Sequence, residues 1–150
     1  MKLFLDTNVL FDYISNKPPY CEDAFNLTIM SAFDDAQLFV SSKSFTDVFY
    51  SMKKFRSPDV IQNSFLDCLE VFNVYPLSAD DIYSACKLGC EDFEDALIAV
   101  CANRAGVDYL VSRDVQLMPT IIEVRTPEQI ITMMAERGIT YTEVDLTVIE

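Results

Sequence analysis

Lys2-Leu3-Phe4-Leu5-Asp6-Thr7-Asn8-Val9-Leu10-Phe11-Asp12-Tyr13 is the stretch that decides how this chain is read. Leu3 to Leu5 form a short apolar run of strand-compatible residues, with Lys2 ahead of them. Asp6-Thr7-Asn8 interrupts the run, and apolar residues then resume at helical spacing with Val9, Leu10, Tyr13 and Ile14. The pattern predicts a buried strand that delivers a carboxylate at its C-terminal end and passes at once into a helix. In open parallel sheets that edge is where ligands bind. Asp6 therefore has two readings. It is a turn or helix-cap residue, or it is a metal ligand or nucleophile that needs partners from elsewhere in the chain.

Composition narrows the chemistry. A chain of 150 residues fits one domain with room for a core, and 51% hydrophobic residues set it apart from disordered sequences. No apolar run is long enough to span a bilayer, and no basic-then-apolar leader opens the sequence. A soluble cytoplasmic protein without membrane partners is the expectation. The five cysteines (Cys21, Cys68, Cys86, Cys90, Cys101) are odd in number and show no CxxC spacing, which predicts buried free thiols in a reducing compartment. Histidine is absent, so zinc hydrolase chemistry and Ser-His-Asp or Cys-His catalysis lack their usual ligand and base. Carboxylates and hydroxyls remain. A net charge of −13 argues against a broad basic face for nucleic acid, yet bound cations invert the local field at an acidic site. Lys53, Lys54 and Arg56 form the one tight basic cluster, for which a solvated helix end is the simpler reading.

Taken in order, Cys21 to about Phe33 reads as a second helix and Gln37 to Val40 as a second strand. Helix-cap candidates Ser41 to Ser44 precede a third helix that carries Phe45, Asp47, Val48, Phe49 and Met52. Ser57-Pro58 stops it and starts a fourth, with Ile61, Phe65, Leu66 and Leu69 on one stripe. Val71 to Tyr75 alternates as a third strand. Ser78 and Asp81 resemble a capping box for a helix that ends at Gly89. Glu91 to Asp95 begins another, whose small apolar body (Ala96 to Ala102) suits close packing on a sheet. Asp108 to Ser112 and Ile121 to Val124 are the last strands, and Thr126-Pro127-Glu128-Gln129 starts a helix closed by Gly138. Strands alternating with helices predict an α/β fold: a mostly parallel central sheet of about five strands flanked by helices in three layers. Residues 1–137 form the expected domain. Residues 138–150, rich in Thr and β-branched residues, read as a C-terminal arm or added strand, with disorder as the alternative.

Several acids stand at element ends that a parallel sheet gathers. Asp6 follows the first strand, Asp95 lies in a first helical turn, and Asp114 lies just past a later strand; Asp47 rides on the third helix. Asp92 and Asp95 are three apart and share a helix face, although an N-cap and a first-turn acid are what any helix start favours. Carboxylates that converge from distant elements repel, and a protein keeps them together mostly to hold a hard cation.

At this point the sequence resembles the PIN domain family, the nuclease fold of VapC-type toxins, from about Lys2 to Met134. Four blocks carry the resemblance: Leu5-Asp6-Thr7-Asn8-Val9-Leu10, Ser44-Phe45-Thr46-Asp47-Val48-Phe49-Tyr50, Asp92-Phe93-Glu94-Asp95-Ala96-Leu97 and Ser112-Arg113-Asp114. It implies catalytic acids at Asp6, Asp47, Asp95 and Asp114, of which Asp6, Asp95 and Asp114 ligate metal. Asp92, Asn8 and Ser112 are implied as supporting residues, and Lys53, Lys54 and Arg113 as substrate-binding cations. Asp47 stands where many relatives have Glu, and Leu117-Met118 stands where an Asp-Phe pair often follows. Oxygen-only ligands select Mg²⁺ or Mn²⁺ over zinc. The implied activity is metal-dependent hydrolysis of single-stranded RNA, with 5′-phosphate and 3′-hydroxyl products. The implied partners are an antitoxin and a second copy in a homodimer. A PIN fold that binds without cleaving is the rival reading. Haloacid-dehalogenase phosphatases and phosphorylated receiver domains also place an Asp after the first strand, but the second Asp of the former is Asn8 here, and the late lysine both need is missing because none follows Lys87.

Overall fold

The computed structural model describes residues 1–141. Five strands form one sheet: β1 (Lys2–Leu5), β2 (Gln37–Ser41), β3 (Asn73–Tyr75), β4 (Tyr109–Val111) and β5 (Val124–Arg125). Their order is β3-β2-β1-β4-β5 and every pairing is parallel. The helices are α1 (Thr7–Ser15), α2 (Cys21–Ala32), α3 (Ser42–Met52), α4 (Pro58–Val71), α5 (Ala79–Leu88), α6 (Phe93–Ala105) and α7 (Pro127–Glu136), with a short 3-10 turn at Val115–Leu117.

Alternation along β1 sorts the two faces of the sheet. Leu3 and Leu5 enter the larger core with α1, α2, α3, α4 and α7, whereas Phe4 meets Ile98, Ala99, Cys101 and Ala102 of α6. Ala85 of α5 packs on the far side of α6 against Ala96, Leu97 and Val100. Covered on both sides, α6 is buried at every residue from Ala96 to Ala102, which explains its uniformly small and apolar body. The expected three-layer α/β arrangement is what the chain adopts. The central strand β1 has β2 on one side and β4 on the other, so the chain reverses direction across the sheet there. That switch point opens a crevice at the C-terminal edge.

The structure departs from these expectations in four places. The third strand was expected from Val71, but α4 continues through Val71 and Phe72 N–H still bonds Cys68 O at 2.8 Å. The buried stripe of α4 is Ile61, Cys68 and Phe72 with Phe65 half-buried, while Leu66 and Leu69 from the expected stripe face out. Both sets repeat at helical spacing, and the position of α3 decides which one is covered. The last strand is Val124–Arg125 rather than Ile121 to Val124, because the segment after Pro119 turns and leaves Ile121 exposed. All five cysteines are free as expected, but Cys86 and Cys90 are exposed. Ala85 occupies the inward position of α5, and Cys90 lies in the turn before α6.

The Ser78 capping box is present and does more than cap. Asp81 is completely buried; its Oδ2 accepts from Ser78 N–H at 2.9 Å and from the Ser78 hydroxyl at 3.0 Å. Its Oδ1 accepts from the Tyr75 hydroxyl at 3.1 Å and lies 3.2 Å from Arg104 Nη1. One carboxylate thereby ties β3, α5 and α6 together. After α7 the chain turns at Gly138, whose φ of 84° suits a residue without Cβ. Ile139 N–H returns to Met134 O at 3.0 Å. Tyr141 is buried in the larger core and its hydroxyl donates to Asp35 at 2.7 Å. The remainder of the expected arm, residues 142–150, lies outside the described residues.

Candidate active site

The ends of β1 and β4 build the floor of the crevice. Asp6 N–H extends the sheet by bonding Val111 O at 2.9 Å, and Ser112 N–H bonds Arg125 O at 3.0 Å. Asp6 is both the N-cap of α1 and a buried carboxylate, so the two readings of this residue are compatible. Its Oδ1 accepts from Thr7 N–H at 2.7 Å, and its Oδ2 accepts from the Ser112 hydroxyl at 2.8 Å. Ser112 is fully buried, and its oxygen in turn accepts from Asn8 Nδ2 at 3.3 Å and from Asp114 N–H at 3.0 Å. The single proton and both lone pairs of that hydroxyl are used. Asn8 Nδ2 also reaches Asp114 Oδ2 at 3.2 Å. Asp6, Asn8, Ser112 and Asp114 thus form one hydrogen-bonded unit.

From the other wall, Asp92 caps α6 by accepting from Asp95 N–H at 3.1 Å. Asp95 and Glu94 follow in the first turn. Across from them α3 contributes Asp47, Val48 and Ser51 to a cleft of about 440 Å³. Six carboxyl groups line it (Asp6, Asp47, Asp92, Glu94, Asp95, Asp114), against one cation, Arg113. One edge of that cation is engaged, because its Nε lies 2.8 Å from Asp12 Oδ2. Asp47 is paired with Lys43 one turn earlier on α3.

This crowding shows in the protonation equilibria. Burial, reinforced by Asp95 and Glu94, pushes the Asp6 carboxyl up to about 6 despite the lowering bonds from Ser112 and Thr7. Burial together with Asp92, Glu94 and Asp114 pushes Asp95 up to about 6 as well. A carboxyl raised in the folded state binds protons more tightly there than in the unfolded chain. Its contribution to stability is fully present below the unfolded value of 3.8 and is lost as pH rises through about 6. Against Asp6→Asn as reference, wild type is expected to lose about 2–3 kcal/mol between pH 4 and pH 7 without divalent ions. Urea midpoints at the two pH values measure this, and an unchanged difference would contradict it.

Among the described residues, no three His, Cys, Asp or Glu side chains are arranged to close on one ion. The donor set nevertheless fits a hard divalent cation. It is all oxygen and carries a surplus of negative charge, and Mg²⁺ commonly keeps several waters while using one or two carboxylates.

Of the residues expected from sequence, Asp6, Asn8, Asp47, Asp92, Asp95, Arg113 and Asp114 line the cleft, with Ser112 beneath them. Lys53 and Lys54 do not line it. Lys53 caps the C-terminus of α3 with its Nζ 4.1 Å from the Tyr50 ring centre, and the neighbouring Arg56 bonds the carbonyls of Ile14 and Ser15 at the end of α1. Glu94, Thr7, Ser44, Ser51 and Asp12 were not singled out. The Thr7 hydroxyl meets that of Ser44 at 2.8 Å and fastens α1 to α3. Asp12 was readable in principle, since it lies four residues after Asn8 on the same face of α1.

Comparison with known proteins agrees with this architecture. The sequence model of the PIN domain family matches residues 2–116. Ribonuclease VapC1 of Aquifex aeolicus (strain VF5) is 25% identical over 136 residues, covering 85% of this chain and 92% of that protein. A toxin-antitoxin complex from Klebsiella pneumoniae contains a chain that matches with a TM-score of 0.62 at 24% identity, over 83% of this chain and 97% of that one. VapC20 of Mycobacterium tuberculosis, described as a sarcin-ricin loop cleaving toxin, matches with a TM-score of 0.58 at 16% identity, over 72% of this chain and 86% of that one. At 24% and 16% identity, the two structural likenesses show the fold. The family match spans all the acids of the cleft, and this chain belongs to the PIN domain family.

Proposed function

We propose that this protein is a divalent-metal-dependent endoribonuclease that hydrolyses phosphodiester bonds of single-stranded RNA, and that it is the toxin of a toxin-antitoxin pair. The observation that carries the reading is the convergence of six carboxyl groups on one cleft at the switch point of the sheet, two of them raised to about 6. The ribonuclease VapC1 relative and the sarcin-ricin loop cleaving neighbour support RNA as substrate, and the toxin-antitoxin complex supports a protein partner.

Asp6, Asp95 and Asp114 would hold Mg²⁺ or Mn²⁺, with Asp47 completing the catalytic acids. Such an ion would supply charge to neutralise the scissile phosphate and would lower the pKa of an attacking water. Asp6 supplies fixed negative charge at the cleft floor. Ser112 and Asn8 hold the Asp6 and Asp114 carboxylates in position, and Asp92 holds the first turn of α6. Water adds to phosphorus and the 3′ oxygen departs, which leaves 5′-phosphate and 3′-hydroxyl ends. The absence of histidine is no obstacle, since metal-activated water removes the need for an imidazole base.

The test is cutting of labelled single-stranded RNA with Mn²⁺, Mg²⁺ or EDTA. Cutting that EDTA abolishes supports the enzyme. No cutting, and no rise in Tm with millimolar ion, supports a PIN-fold binding module instead, a reading favoured by the engagement of Asp47 with Lys43. Ser112→Ala is expected to weaken metal affinity or activity about 10–100-fold, because it frees the Asp6 carboxylate from its orienting hydroxyl and takes an acceptor from Asn8 and from Asp114 N–H. Metal titrations followed by Tm measure that change, and unaltered affinity would remove Ser112 from the site. A cytoplasmic homodimer belongs to the same reading, and light scattering of the purified protein tests the dimer. Among the described residues no helix is long and apolar enough to cross a membrane.

A further inference from the structure

Beside the acidic cleft lies a second depression lined by Tyr20, Asp23, Arg113, Asp114, Thr126, Pro127 and Glu128. Arg113 and Asp114 belong to both hollows and form the ridge between them. Arg113 is held from two sides. Its Nε pairs with the buried Asp12, and its guanidinium carbon lies 4.4 Å from the centre of the Tyr20 ring. Among the described residues neither Nη1 nor Nη2 has a hydrogen-bond partner. A cation with one edge anchored and the other edge open is preorganised for a phosphate oxygen. Tyr20 is about half exposed, so its ring is open to a ligand while it also lies beside the arginine. Aromatic faces beside a fixed cation are how proteins seat single-stranded bases without reading their sequence.

We propose that Tyr20 and Arg113 form a nucleotide subsite next to the cleft, in which Arg113 binds a phosphate flanking the scissile one and Tyr20 stacks its base. The proposal rests on the ribonuclease reading above. Charge sets the orientation. Asp23, Asp114 and Glu128, which also line the depression, repel phosphate, so the uncharged base lies over Tyr20 and the phosphate stays at the Arg113 guanidinium. Asp12 is a positioning residue: it fixes the guanidinium and does not touch the RNA.

Two readouts test this. In cleavage assays with single-stranded RNA, Tyr20→Ala and Arg113→Gln are each expected to raise KM about tenfold with kcat nearly unchanged, and Tyr20→Phe to behave as wild type. Tyr83→Ala removes a comparable exposed ring, one with Lys87 Nζ 5.4 Å from its centre on α5, and should leave KM unchanged. Separately, a single-stranded RNA carrying 2-aminopurine is titrated into Asp6→Asn protein, where stacking quenches the fluorophore. Quenching lost on adding Tyr20→Ala supports the subsite, even if wild type proves not to cut. Wild-type cutting with unchanged KM and quenching in both Tyr20→Ala and Arg113→Gln overturns the subsite and leaves the nuclease standing.

Discussion

Asp6→Asn is expected to slow RNA cleavage on the order of 10³-fold or more while melting within a few degrees of wild type. Asp6 is the most buried acid of the cleft, and its charge is the one least replaceable by solvent. The amide keeps the shape but loses the charge that would face the cation. Its structural cost is small for a specific reason. The amide oxygen still accepts from Thr7 N–H, so the NH₂ group meets Ser112, whose oxygen already accepts two bonds. One hydrogen bond of about 1 kcal/mol is thereby lost. Against it stands the relief of a buried carboxylate crowded by Asp95 and Glu94. Single-turnover cleavage beside a thermal melt separates the two effects. Undiminished cutting by the variant would sink the assignment of Asp6, and a collapsed melt would recast it as structural.

The largest loss of stability is expected at a residue that does not line the cleft. Asp81→Ala should cost about 3–5 kcal/mol, because it takes the acceptor from Ser78 N–H, the Ser78 hydroxyl and the Tyr75 hydroxyl and removes the counter-ion of Arg104. The lower end is the better estimate, since Arg104 is partly exposed and keeps its bond to Ser84. For a domain of this size that is a fall in Tm of about 6–12 °C. Ser78→Ala, which removes only the cap side chain, should cost about 1 kcal/mol. Urea melts of both variants give the comparison. Equal losses would mean that Asp81 acts as a cap and nothing more, and the proposed tie between β3, α5 and α6 would be wrong. Cleavage at low temperature, where both fold, should be retained because neither residue lines the cleft.

Much of the architecture was legible because its signals are local. Strand-to-helix switching at Leu5-Asp6-Thr7, the capping boxes at Ser78 and Thr126, and Pro58 at a first turn are each decided within a few residues. Asp6, Asp92, Asp95 and Asp114 were legible for the same reason, since each stands at or beside the end of an element, whereas Asp47 sits in the middle of α3. What failed was local too, but incomplete. On α4 the sequence offers two apolar stripes, and helical periodicity cannot say which one α3 will cover; Leu66 and Leu69, on the expected stripe, face out. Ile121-Ile122 has strand composition, yet the turn after Pro119 leaves only Val124–Arg125 in register with β4.

By itself, then, the sequence determined the α/β alternation, the ends at which acids are presented, and the exclusion of imidazole chemistry, all of which follow from residue type and spacing along the chain. Only the tertiary structure decided how those acids are held. The Ser112 hydroxyl joins Asp6, Asn8 and Asp114 across about a hundred residues of sequence, Asp12 claims Arg113, and Lys43 claims Asp47. Hydrogen bonds and carboxyl protonation depend on distance and burial in space, and strand order sets both by bringing the end of β4 beside the end of β1.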